Sequence, residues 1–504
     1  MRVSQPSAKA QTNDDKPLTV PETPRCAIVD LGSNSVRLVV YEGRARNPVA
    51  IFNEKAVLRL GRGLQTTGRL NEQGVEQALR VMSRYAAIAK AMDAQPFDVL
   101  ATAAVRDATN GQAFVEGLRT RMPGATIRIL SGEEEATLSA AGMLCGIPEA
   151  DGILADIGGG SLELVRLDAS GVRHAATLRL GVIRLSERAE NDLARARAIA
   201  EADLAALPWL QEGAGRDLYL VGGAWRALAR VHMHETRYPL GIVHHYTIDR
   251  DAARALAAMI LEPRRERTPG APRRRSEDLP YAATILRRLL RLSGARRVVF
   301  SAAGIREGWF MQQVAPETRR QDPLLAAGQE MAALLGRDAR LPPALIAWTA
   351  PLFPSETAET LRLRHAACWM SDIGSHDHPE YRAEQTFYRV LRQPGVGLDH
   401  QTRAFLALAI GLRYEAEPNA PYLATARALL DPPTQARAIT LGAALRLAYV
   451  LSAGTPALLA DANLRLEPGR LILRLQGAGV FEGEGVQRRL DHLANTLNLT
   501  ATLE

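Results

Sequence analysis

Val29-Asp30-Leu31-Gly32-Ser33-Asn34-Ser35-Val36-Arg37-Leu38-Val39 returns later in the chain as Ala155-Asp156-Ile157-Gly158-Gly159-Gly160-Ser161-Leu162-Glu163-Leu164-Val165. Asp30/Asp156, Gly32/Gly158, Ser35/Ser161, Leu38/Leu164 and Val39/Val165 coincide at one fixed offset. Each copy begins with an apolar run (Cys26 to Val29; Ile153 to Ala155), passes an acidic residue, turns through small residues and resumes alternation. That is the pattern of a strand–turn–strand hairpin. The glycines and serines leave backbone N–H groups free to converge on an anion, and the aspartate beside them can hold a cation. One Asp-x-Gly turn is an ordinary hairpin. Two in register, facing each other, would form a two-jawed cradle for adjacent phosphates.

Working outward, each hairpin opens an α/β half. Strands are expected at Ala50–Leu60, Phe97–Ala103 and Ala125–Leu130, with helices around Gln73–Met92 and Ala113–Met122. After the second hairpin come Leu178–Leu185, a helical stretch through Leu207, and strands near Leu218–Val221 and Arg297–Ser301. The halves span 25–144 and 145–318, which suggests gene duplication with a cleft between them. Pro263–Arg275, rich in arginine, reads as an exposed basic loop. Residues 319–455 show helical periodicity, and 456–504 alternate before a final helix, as a small α/β appendage would. The first 24 residues are polar and proline-containing, the composition of a disordered tail rather than a leader peptide.

Composition narrows the classes. A chain of 504 residues with 47% hydrophobic content can build several cores, and no run has the apolar length of a membrane span. Three scattered cysteines fit buried thiols in a reducing cytoplasm. The net charge of +7 suits a polyanionic partner. Aromatics are only 5% and no nucleic-acid-reading motif is present, so a specific nucleic-acid partner is not expected.

Asp30 and Asp156 fall at strand ends, where carboxylates can bind a hard cation, often through water. On the outgoing strands Glu163 occupies the place of Arg37, and two-residue alternation puts each on the face of its loop serine. Glu163 is read as a metal or water ligand and Arg37 as a phosphate contact. In Ser131-Gly132-Glu133-Glu134-Glu135-Ala136, Ser131 and Glu134 have capping-box spacing. With Glu134 occupied at the helix start, Glu135 remains to aim at the cleft as a base. Arg106 leaves the strand Phe97–Ala103, where it could stabilise a transferring phosphoryl group. Leu218-Tyr219-Leu220-Val221-Gly222-Gly223 leads into a helix whose N-terminus could bind phosphate at Gly223.

Together the paired loops, Thr102-Ala103-Ala104-Val105-Arg106, Ser131–Ala136 and Ser301-Ala302-Ala303-Gly304-Ile305-Arg306-Glu307-Gly308 resemble the exopolyphosphatase/guanosine pentaphosphate phosphohydrolase (Ppx/GppA) family. The resemblance covers about residues 25–315. It implies duplicated ribonuclease-H-like domains of the actin-like ATPase superfamily, then an all-α HD-like domain and a small C-terminal α/β domain. It implies Mg²⁺-dependent removal of terminal phosphates from inorganic polyphosphate or pppGpp, with Mn²⁺ and a monovalent cation such as K⁺ as further candidates, by a homodimer. By motif position Glu135 corresponds to the base and Arg106 to a phosphate-binding arginine. Asp30, Asp156 and Glu163 correspond to the metal and water ligands. Gly32, Ser33, Asn34 and Ser35, with Gly158, Gly159, Gly160 and Ser161, correspond to the phosphate loops. Ser301–Gly308 is assigned a packing role.

The helical region carries Leu363-Arg364-His365-Ala366-Ala367-Cys368-Trp369-Met370-Ser371-Asp372, which resembles the surroundings of an HD metal pair, but Ser371 stands where a histidine is required. His365, Asp372 and His376 are the candidates for a rebuilt site. A degenerate domain serving dimerisation and polyanion guidance is the expectation. Four functions remain open at this point: hydrolysis of polyphosphate, the same chemistry on pppGpp, phosphotransfer from polyphosphate to a nucleotide, and polyanion binding without catalysis.

Overall fold

The computed structural model describes residues 23–262, 270, 272, 275–476 and 483–504. The expected N-terminal tail and the basic loop at 263–275 lie outside them, apart from residues 23, 24, 270, 272 and 275. The first repeat forms β1 (Arg25–Leu31) and β2 (Ser35–Glu42), an antiparallel hairpin continued by β3 (Val49–Val57). On the other side of β1, β4 (Ala94–Ala101) and β5 (Thr126–Ile129) add in parallel, giving the order β3-β2-β1-β4-β5.

The second repeat forms β6 (Gly152–Ile157) and β7 (Leu162–Asp168), continued by β8 (Gly171–Leu178). With β9 (Asp217–Val221), β10 (Tyr246–Asp249) and β11 (Arg297–Ser301) the order is β10-β11-β9-β6-β7-β8. Read from β8, this repeats the first sheet strand for strand and direction for direction, with β10 added antiparallel at the far edge. The molecule is therefore a duplicated α/β fold followed by a helical region with a small sheet. The central strands are buried along nearly their whole length because both faces of each sheet are covered, and of the charged residues they carry Asp30, Asp156 and Glu163 lie at their cleft ends.

β8 and β10 were not legible as strands. Val172–Ala175 on β8 are exposed, so this edge strand carries no buried alternation, and the element expected at Leu178–Leu185 divides into the end of β8 and a helix at Val182–Arg188. β10 is four residues long, too short to show a period.

One helix is shared by the two sheets. In Gly132–Gly146, Leu138 and Cys145 pack with Cys26, Ile28 and Val39 of the first sheet, while Ala136, Ala140 and Met143 pack with Leu154, Val165 and Val221 of the second. The expected boundary at 144/145 falls within it. The helix Ile305–Gln312 crosses it and reaches the first sheet, where the Trp309 indole N–H donates to Asp98 Oδ2 (2.7 Å). A Cβ on Gly142 would fall on the carbonyl of Gly304, and one on Gly308 on the carbonyl of Leu138. Glycine is what lets these two backbones touch.

Beyond 320, the helices Pro323–Leu335, Ala358–Met370, His400–Arg413 and Pro432–Ser452 pack around Phe405, Leu408 and Leu441. β12 (Ala462–Glu467), β13 (Arg470–Leu475) and β14 (Thr500–Leu503) form a three-stranded sheet. Leu464, Leu471 and Leu473 of that sheet belong to the same core, so the segments expected at 319–455 and 456–504 share one hydrophobic interior. A histidine seam joins this region to the second sheet: the His244 and His245 imidazoles bond to the Val396 carbonyl (2.7 and 3.0 Å). No helix among the described residues is long and apolar enough to cross a membrane.

Candidate active site

The two hairpin loops face each other across a cleft and have the same backbone closure: Gly32 N–H donates to Ser35 O (3.1 Å), and Gly158 N–H to Ser161 O (3.0 Å). In each hairpin the aspartate lies directly opposite the residue that distinguishes the copies, Asp30 opposite Arg37 and Asp156 opposite Glu163. Cross-strand partners share a face, so one jaw presents an acid and a base and the other two acids. Gly222 turns β9 into the helix Gly223–Glu235 at φ +118°, where a side chain would meet the Ile157 carbonyl, and so brings Gly223 to the cleft wall.

Asp30, Gly32, Ser33, Asn34, Ser35, Arg37, Glu135, Asp156, Gly158, Gly159, Gly160, Ser161, Glu163 and Gly223 all line this cleft. Arg106 does not. It lies behind Glu135, to which its Nη1 donates, and the same nitrogen donates to Leu130 O (2.9 Å). The position expected to touch a phosphoryl group is thus engaged with the candidate base.

The acidic run Glu133–Glu135 divides as its spacing implies. Ser131 N–H donates to Glu134 Oε2 (2.8 Å) and Glu134 N–H to Ser131 Oγ (3.1 Å), closing the capping box. These bonds hold the Glu134 carboxyl below its ordinary value. Glu135, 3% exposed, is pushed up to about 7 by burial, against the pull of Arg106. Burial also raises Asp30 and Asp156, and raises Glu163 well above its usual range with Glu135 and Asp156 adding to the effect. Asp156 accepts a hydrogen bond from Ser139, whereas Glu163 Oε1 is buried with no hydrogen-bond partner.

Three cations in the cleft escaped the sequence reading. Arg306 belongs to Ser301–Gly308, which was assigned packing alone. Gly304 and Gly308 do pack, but Arg306 lines the cleft with its Nε 3.8 Å from Asp30 Oδ2. Arg226 follows the Gly222–Gly223 turn and is pushed down to about 10 by burial and then by Arg306. Lys55 on β3 is pushed down to about 8 by desolvation at the cleft mouth, then by Arg275, Arg37 and Arg226. A lone arginine after a glycine turn was the only available signal for Arg226. Cations that depress one another are stabilised when an anion enters among them.

The donor set fits a hard divalent cation. Among the described residues the lining contains carboxylates and hydroxyls and no histidine or cysteine, and Glu163 Oε1 lacks a partner. Among the described residues no three His, Cys, Asp or Glu side chains gather closely enough to hold a metal by themselves. An ion here would complete its shell with water and phosphate oxygens, as Mg²⁺ ordinarily does.

In the helical region His365, Asp372 and His376 do not come together as a metal site. Asp372 accepts from Arg337 Nη2 (2.8 Å) and Nε (3.0 Å), with Arg413 3.8 Å away. The Arg413 guanidinium lies over the rings of Tyr414 (3.8 Å) and Tyr449 (3.6 Å). Ser371 shares a hydrogen bond with Tyr449 (3.0 Å), and His376 is exposed. Arginines hold the charge that a cation would otherwise meet.

Twin α/β sheets closing glycine–serine loops onto an acid- and arginine-lined cleft define a two-domain protein built to receive an anion. The chain belongs to the Ppx/GppA phosphatase family, whose sequence profile matches residues 39–317, and residues 324–503 match the profile described as "Exopolyphosphatase, C-terminal". It is 32% identical over 174 residues to exopolyphosphatase 2 of Mycobacterium tuberculosis, covering 32% of this chain and 54% of that protein. It is also 32% identical over 169 residues to exopolyphosphatase 1 of Mycobacterium bovis, covering 32% and 48%. The chain thus spans about half the length of the curated relatives it matches. A crystal structure of an exopolyphosphatase from Cytophaga hutchinsonii superposes with TM-score 0.53 at 21% identity, over 58% of this chain and 99% of that one, a likeness of fold.

Proposed function

We propose that the protein is an exopolyphosphatase that hydrolyses the terminal phosphate of inorganic polyphosphate with Mg²⁺. The observation that carries this reading is Glu135, a buried carboxylate held near neutral pKa between two phosphate loops. The terminal phosphoryl group sits between Gly32–Ser35 and Gly158–Ser161, with Arg226 and Arg306 offsetting its charge. Glu135 accepts a proton from a water as the water oxygen bonds to phosphorus. The bond from that phosphorus to the bridging oxygen breaks, and its electron pair leaves with the shortened chain. Asp30, Asp156 and Glu163 would hold Mg²⁺, which when bound supplies Lewis acidity and neutralises phosphate charge. Members of the family are typically metal-dependent, and this donor set agrees.

A second groove, continuous with the cleft, supports a linear polyanion over pppGpp. It shares Arg37, Lys55, Arg226 and Arg275 with the cleft, then runs along Arg59, Arg62 and Arg230, and no carboxylate lines it among the described residues. A chain with one charge or more per phosphate matches such a track, whereas a guanosine would leave much of it unpaired. Exposed cations contribute about 0.2–1 kcal/mol each. Replacing Arg59, Arg62 and Arg230 together by alanine is therefore expected to raise KM for long chains about tenfold or more, with kcat little changed. Equal losses on tripolyphosphate and on long chains would count against the track.

The test of the function is phosphate release from long-chain polyphosphate, pppGpp and ATP with Mg²⁺, with ADP supplied in parallel as an acceptor. Rapid loss of polyphosphate supports the proposal. Preference for pppGpp moves the role to alarmone conversion, ATP formed from ADP makes the protein a phosphotransferase, and no turnover leaves a binding protein.

A further inference from the structure

Arg106 is held at the candidate base by a chain of charges that crosses from one domain to the other. Its Nε lies 3.4 Å from Asp107 Oδ1, and the other carboxylate oxygen, Asp107 Oδ2, accepts from Arg184 Nη1 (2.6 Å). Arg106 and Asp107 follow β4 of the first sheet, whereas Arg184 lies on the helix Val182–Arg188 of the second half. Arg184 is 6% exposed, so its charge has little water to solvate it and forms an ion pair with Asp107.

The helix that carries Arg184 is joined to the second phosphate loop. Val182 N–H donates to Gly158 O (3.1 Å), and the N–H groups of Ile183 and Arg184 donate to Gly159 O (3.0 and 3.1 Å). The backbone at Gly181 is packed so closely on Gly159–Ser161 that a Cβ there would collide with them. One turn later Glu187 crosses to the first domain, where its carboxylate accepts from Gly63 N–H (2.7 Å) and Gln65 N–H (3.4 Å). A shift of the second loop relative to the first domain therefore moves Arg184, and Asp107 passes that shift to Arg106.

We infer that Asp107 and Arg184 are positioning residues that set Arg106 against Glu135 only when the two domains are closed on each other, coupling phosphate-loop geometry to the base. This rests on the reading of Glu135 as the base. Neither residue lines the cleft, so neither contacts the phosphoryl group in this role.

The test uses the full-length protein with Mg²⁺ and long-chain polyphosphate. Asp107→Asn and Arg184→Gln are made singly and together, with Arg184→Lys as the conservative variant. Each single variant is expected to lower kcat about tenfold or more with KM within about threefold, since misplacing a catalytic group by an ångström costs up to about 10²-fold. The double variant is expected to be no slower than the slower single, because both break one chain. Arg184→Lys, which keeps the charge and can still donate to Asp107, is expected to recover most of the rate. Thermal unfolding of each variant separates a lost fold from a lost rate, and Arg184→Lys decides the matter if Arg184→Gln does not fold. Unchanged kcat, a loss confined to KM, additive losses in the double variant, or no rescue by lysine would overturn the inference while leaving the hydrolase reading intact. A wild type that turns over no phosphoanhydride would overturn both.

Discussion

Glu135→Gln is expected to lower kcat for phosphate release by about 10²–10⁴-fold, the contribution of a positioned general base, while KM changes little. Glutamine keeps the size of the side chain and still fills the buried site, so the loss isolates the proton acceptor from the packing. The wild-type rate carries a second signature. In the proposed mechanism the base works ionised, and burial holds the Glu135 carboxyl up to about 7 against the opposing pull of Arg106. Lowering the pH protonates it, so kcat/KM, which follows the free enzyme, is expected to fall on the acid side, to about half at pH 7 and about a tenth at pH 6 of its alkaline plateau. That acid limb disappears in Glu135→Gln. A variant that retained both the rate and the limb would remove Glu135 from the mechanism. Removal of Mg²⁺ by chelation should abolish turnover in the wild type, because three further acids, Asp30, Asp156 and Glu163, face the same phosphate without it.

The duplicated hairpins were legible because a repeat fixes two things at once: the strand–turn–strand pattern and the requirement that both copies face a common object. Glu135 was legible for a different reason. The Ser131–Glu134 capping box assigns one carboxylate of three to the helix end, and helical geometry then separates the remaining two. Arg226, Arg306 and Lys55 were not legible as site residues. Each is a single cation with no local partner pattern, and its place at the cleft depends on how the second sheet and the Ile305–Gln312 helix pack. The same limit explains Arg106. Its exit from β4 is plain in the sequence, but its engagement with Glu135 depends on an element more than twenty residues away, and its neighbour Asp107 is tied through Arg184 to the other half. In the helical region Ser371 already marked a broken metal motif. The arginines that replace the cation come from elements far from it in sequence, Arg337 and Arg413, so only the fold brings them to Asp372.

Gly308→Val is expected to destabilise the protein by about 3 kcal/mol or more, the upper range of overpacking in a tight interior, because the added Cβ meets a backbone carbonyl that cannot rotate away. At about 2–4 °C per kcal/mol for a domain of this size, the unfolding midpoint falls by roughly 6–12 °C. The loss of stability is only part of the expected result. The helix Gly132–Gly146 carries Glu135 near its N-terminus, and Ile305–Gln312 carries Arg306 near its own. The two touch through Gly142 against Gly304 and Gly308 against Leu138, so that crossing fixes the distance between the base and a cation of the phosphate site. In the proposed mechanism, spreading it by even an ångström would move Glu135 away from the water it deprotonates, and kcat is expected to fall further than the remaining folded fraction accounts for. Gly142→Ala probes the same contact from the other helix and should give the same pair of effects in milder form. A variant that lost stability yet kept full kcat below its unfolding midpoint would show that the crossing supports the fold without setting the site. The glycines of Ser301–Gly308 would then have the packing role alone, and Arg306 would owe its place to the cleft's own charges.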